Sequence, residues 1–82
     1  MNDARRKLIK QANEKTTAAA ALIEEAKELL EQARDEEQEY LDNMPESFQS
    51  GDKGSAAQEA IDALETAISD LDSIDLTDVE VA

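Results

Sequence analysis

From residue 8 to residue 44, small and apolar side chains return every three or four positions and polar ones fill the gaps. One line at seven-residue spacing runs Ile9, Thr16, Ile23, Leu30, Glu37, Met44, and a second runs Ala12, Ala19, Ala26, Ala33, Tyr40. Leu8, Leu22, Leu29 and Leu41 stand next to this seam and widen it into a stripe. A helix turns once in about 3.6 residues, so the pattern gathers these positions on one face. Ala, Leu, Glu, Gln and Lys are also strong helix formers. Periodicity and propensity together predict one long helix over about residues 3–43. Four alanines in succession let a partner helix approach more closely than leucines would. Glu37 puts a charge in the seam and predicts that tight packing ends near it or that the seam turns to solvent there.

Pro45 cannot donate a backbone hydrogen bond and pushes Met44 out of helical geometry. Gly51 and Gly54 offer the permissive backbone of a reversal, which gives a hinge over 44–54. Ser55-Ala-Ala-Gln58 fits a capping box. It opens a predicted second helix over about residues 55–74, with Ala57, Ala60, Ile61, Leu64, Ala67, Ile68, Leu71 and Ile74 on its apolar face. The fold class is therefore an all-α helical hairpin, residues 1–74 as a single domain. Tyr40 and Phe48 are the only aromatic residues of the chain. With Met44 they are expected to plug the open end of the seam, while Pro45, Gly51 and Gly54 make the turn. The rival reading of the same patch is a binding epitope.

The two helices differ in length, about 60 Å against about 28 Å at 1.5 Å per residue. A second helix folded back from the hinge leaves Leu8, Ile9, Ala12, Thr16, Ala19, Leu22 and Ile23 uncovered. A contiguous exposed apolar stripe marks an interaction surface. The expected cover is a second copy, giving a homodimer with an antiparallel coiled-coil or four-helix core. The remaining segment, residues 75–82, alternates acidic with apolar side chains. It is expected as a flexible acidic tail; a short edge-pairing strand is one alternative. The other is a strap that brings Asp75, Asp78 and Glu80 alongside Arg5, Arg6 and Lys10.

Charge sharpens the picture. Among 82 residues, 21 Asp and Glu oppose 8 Lys and Arg, a net charge of −13. Residues 1–15 hold five basic against two acidic side chains, so the remainder carries −16. Such a chain repels nucleic acid and anionic membrane, and its expected partner is a basic host protein. No apolar run approaches the roughly 18 residues of a membrane span, and no secretory signal opens the chain, so a cytoplasmic protein is expected. The absence of Cys and His removes disulfides, thiol nucleophiles, imidazole bases and the usual zinc site. Phosphate-binding glycine loops and nucleophile elbows are also missing, and two narrow helices offer no cavity in which a carboxyl pair could be tuned. No enzyme, cofactor or metal is expected. Asp70, Asp72, Asp75 and Asp78 lie close together without the glycine and closing spacing of a calcium loop.

The acidic run is the sharpest functional feature. Glu24, Glu25, Glu28, Glu31, Asp35, Glu36, Glu39 and Asp42, with Glu37 and Glu46, are opposed only by Lys27 and Arg34. The net −8 covers about 34 Å of helix axis. Two such helices side by side carry about one charge per 2 Å, near the 1.7 Å of duplex DNA. The expectation is an acidic interaction module, an inhibitor or DNA mimic acting on a nucleic-acid-binding host protein. The alternative is a structural or adaptor coiled coil without an inhibitory role.

The stretch "DEEQEYLDNMPESFQSGDKG" followed by "AAQEAIDALETAISDL" resembles a set of small acidic helical proteins of phages, prophages and plasmids. In that set a D-N-M/L-P-E turn precedes an acidic second helix. The resemblance covers residues 35–71, a little under half of the chain. It implies a mobile-element origin and supplies no catalytic residues.

Overall fold

Asn2 starts the first helix in extended geometry, and its Oδ1 accepts the Arg5 N–H at 2.9 Å. This satisfies one of the donors a helix start leaves without an intrahelical partner. In the computed structural model, which describes residues 2–80, helix α1 then runs unbroken over Asp3–Asp42. The Thr16 and Thr17 hydroxyls both fold back on the Asn13 carbonyl, at 3.0 and 2.9 Å. A single turn, α2, spans Glu46–Gln49, and α3 spans Asp52–Asp72. The described residues form no strand, so the molecule is all-α with one long and one shorter helix. No helix among them is long and apolar enough to cross a membrane.

Proline at position 45 ends α1 and also begins α2. As the cap of that turn it needs no N–H, and its carbonyl accepts from Phe48 and Gln49 at 2.9 and 3.1 Å. The last turn of α1 has no basic side chain to meet its free carbonyls. Gln49 takes that role: its Nε2 donates to the carbonyls of Leu41 and Met44 at 3.1 and 3.0 Å.

The second long element begins earlier than the capping-box reading places it. Its cap is Gly51, extended at φ −101° and ψ −164°, and no side chain caps it. Ser55 donates its N–H to the Gly51 carbonyl, and Gln58 bonds Asp62 at 3.0 Å instead of reaching back to Ser55. Gly54 therefore belongs to the first turn of α3, not to the hinge. No described glycine has a positive φ. What Gly54 supplies is space: a Cβ there would lie 1.9 Å from the Gln49 carbonyl oxygen. This close approach also corrects the reading of Tyr40 and Phe48. Backbone already fills the end of the molecule, so both rings remain half exposed, Phe48 under the Lys53 ammonium at 5.4 Å, and only Met44 is half-buried.

Helix α3 lies back along the rear half of α1. Gln49 touches Leu41 at one end of the contact and Asp72 pairs with Lys27 at the other. Buried side chains come from α3 alone, at Ala57, Ile61 and Ile68, while α1 buries none of its described residues. The half-buried face of α1 follows the first predicted line, Ile9 through Met44. Its other border is Asn13, Ala20, Lys27, Arg34 and Leu41, which rotates the packing face away from the expected alanine line. Ala19, Ala26 and Ala33 sit at its edge, Ala12 and Tyr40 outside it. The result is a rod, 68 × 14 × 14 Å, with a radius of gyration of 20.0 Å, against about 12 Å for a compact chain of this length.

Candidate functional site: an acidic rear half and a strapped front half

The rear half joins two acidic helices. Residues 24–46 carry net −8, and α3 adds six carboxylates against Lys53, net −5. The whole net charge of the chain thus falls on a segment about 34 Å long, about one charge per 2.6 Å. Of the predicted acidic set, Glu24, Glu25, Glu28, Asp35, Glu36, Glu39 and Asp42 are exposed and Glu31 is half-buried. They wrap the outer arc of α1 and do not line one narrow face. Several make short-range contacts: Asp35 with Arg34 at 3.2 Å, Glu36 with Gln32 at 3.3 Å, Asp42 with Gln38 at 2.9 Å. No group of three or more carboxylates among the described residues is arranged to hold a metal ion.

Lys27 is the cation at the boundary between the halves. Its aliphatic stem is covered, leaving the side chain 16% exposed, and the ammonium meets Asp72 of α3 and Glu24 at 3.2 Å. The hydrogen bond to Asp72, then that to Glu24, raises its pKa above the ordinary 10.5, against a lesser opposing effect of burial. Both bonds favour the charged form.

Beyond Lys27, α3 ends and the tail takes over. Residues 74–80 form neither helix nor strand and run back along α1. Asn13 holds Val79 at both backbone groups: its Nδ2 donates to the carbonyl and its Oδ1 accepts from the N–H, each at 3.0 Å. Nearer the helix start, Asp78 shares an open groove with Arg6, Ile9 and Lys10. The Asp75 carboxylate accepts from Thr77 and shapes the chain locally. Positions 81 and 82 of the predicted tail lie outside the described residues.

The strap divides the seven residues predicted for an oligomer interface. Ile9, Thr16, Ala19 and Ile23 are half-buried, whereas Leu8, Ala12 and Leu22 are exposed, Leu8 and Leu22 at 65% and 64%. Leu29, expected under α3, is 67% exposed. Sequence reasoning overlooked Asn2, Asn13, Gln49 and the Lys27–Asp72 pair. Asn2 was within reach, since Asn before Asp-Ala-Arg-Arg is a helix start. Comparison of the chain with protein-family models, curated proteins and solved structures finds no match.

Proposed function

We propose that this chain is a non-enzymatic, acidic protein-binding module. It is a helical hairpin that dimerises through the front half of α1 and presents its rear half to a basic partner. The observation that carries the reading is the segregation of charge. The rear half holds net −13, and the front half is neutral because the three carboxylates of residues 73–82 offset the +3 of residues 1–15. Two acidic helices packed together approach the line density of duplex DNA within one chain. The partner class is a nucleic-acid-binding host protein, inhibited by occupation of its DNA-binding groove. A cytoplasmic, mobile-element setting accords with the resemblance of residues 35–71.

The test is retention of host proteins on the immobilised chain at low salt, followed by elution with duplex DNA. Proteins that bind DNA should be retained, released by the duplex and lost as salt rises. Retention that ignores both salt and duplex would refute the reading. The structural or adaptor alternative draws on the exposed Leu8, Leu22 and Leu29. It predicts self-association with no such retention.

A further inference from the structure

Leu8, Leu22 and Leu29 are among the most exposed large apolar side chains of the molecule. They stand at one heptad position, with Lys15 at the step between Leu8 and Leu22. The neighbouring line is Ala12, Ala19, Ala26 and Ala33, so Leu and Ala alternate at the three- and four-residue steps of a coiled-coil seam. Neither α3 nor the tail covers the leucines, and the alanine line, half-buried at Ala19, Ala26 and Ala33, is the edge that the two faces share. The residues that border α3 and the tail, Ala20, Ile23 and Lys27, lie on the other flank of α1. One helix therefore carries two seams, one filled within the chain and one open over about 32 Å.

Resting on the reading that the chain dimerises, we propose that the occupant of the open seam is a second copy of α1. It lies antiparallel, with Leu8 of each copy against Leu29 of the other and Leu22 near the molecular dyad. This moves the interface from the Ile9, Thr16, Ile23 line to its neighbour. Charge selects both occupant and direction. The front halves are neutral and can meet, whereas a parallel pair would set −13 beside −13 along the whole rear half. In the antiparallel pair the rear halves point away from each other. The Arg5 to Lys10 head of each copy then falls opposite residues about 27–32 of the other, beside Glu25, Glu28 and Glu31. The alanine line lets the axes approach closely, and the exposed alkyl stem of Lys15 covers the central leucines while its ammonium stays wet.

The chain has no cysteine, so introduced thiols report only the contact chosen. Leu8→Cys and Leu29→Cys are made singly in the full chain and oxidised alone and as an equimolar mixture. The mixture should give a cross-linked dimer in at least tenfold excess over either variant alone. Efficient cross-linking of Leu8→Cys alone would mean a parallel pair. A sedimenting dimer with no cross-link in any sample would mean another face. Either result overturns the proposal and leaves dimerisation standing. A monomer at high concentration overturns dimerisation itself. As a second measurement, Leu22→Glu should weaken dimerisation at least 100-fold with helicity unchanged. An unaltered dimer would count against the seam.

Discussion

The two halves of this rod are held by different means. In the rear half, two helices share a packed face that buries Ala57, Ile61 and Ile68. In the front half, the same helix is met by a seven-residue segment, 74–80, that is neither helix nor strand, and Asn13 hydrogen-bonds both backbone groups of its Val79. The rear is packed on apolar side chains and highly charged on its outside. The front is held by hydrogen bonds and is neutral. A helix gains stability chiefly from the partner that covers it, so α1 is firmly supported at one end only. The self-association surface we propose lies on the loosely covered end.

The contrast can be broken most severely at Gly54. Gly54→Ala drives a methyl group into the Gln49 carbonyl and should cost on the order of 3 kcal/mol, read as a shifted denaturation midpoint. A pair of matched truncations compares the halves directly. Ile61 is 1% exposed and Ile9 is half-buried. Ile61→Ala should lose about 2–4 kcal/mol and Ile9→Ala under about 1 kcal/mol in the same experiment. Equal losses would abolish the distinction. Gln49→Glu preserves shape but replaces two donated hydrogen bonds with repulsion from the end of α1, and should cost about 1–2 kcal/mol by thermal melting.

Smaller effects lie at the boundary and in the strap. The raised pKa of Lys27 stabilises the fold wherever the ammonium is charged. That contribution is complete below the ordinary 10.5 and falls as pH climbs through the raised value. Lys27→Met should therefore flatten the alkaline limb of a stability–pH curve. Asn13→Ala should change global stability by under about 1 kcal/mol. Its readout is local: the Val79 amide should lose hydrogen-exchange protection while Ile61 keeps its own. A Val79 amide equally protected in the variant would mean that the tail is held elsewhere.

Much of the helical pattern was legible in the sequence, because periodicity and proline report local geometry. The Ile9-to-Met44 line was predicted except at Glu37, which was expected to end the tight packing and is instead half-buried with Leu41 and Met44 beyond it, and Pro45 marks the end of α1. The side of that line toward which α3 leans was not legible. Where α3 packs, Ala26 and Ala33 flank the line on one side and Lys27 and Arg34 on the other, so the pattern pointed to the alanine side, and long side chains that cover apolar surface with their stems concealed the true one. Gly54 was misread because a glycine needed for close approach and one needed for a turn look alike in sequence. Gln49 and Asn13 act through hydrogen bonds spanning 8 and 66 positions, for which no local signature exists. In the candidate site, the identity of the acidic residues could be read directly. Their arrangement around an arc, and the doubling of charge by α3, required the fold.

Charge gathered at one end of a narrow rod gives each single chain a large electric dipole along its long axis, and an antiparallel pair carries an acidic pole at either end. A cationic surface exerts a torque on either from beyond contact range and turns an acidic end forward before the two touch. Collisions at arbitrary angles are thereby converted into end-on arrivals, and the gain fades once added salt shortens the screening length to a few ångströms.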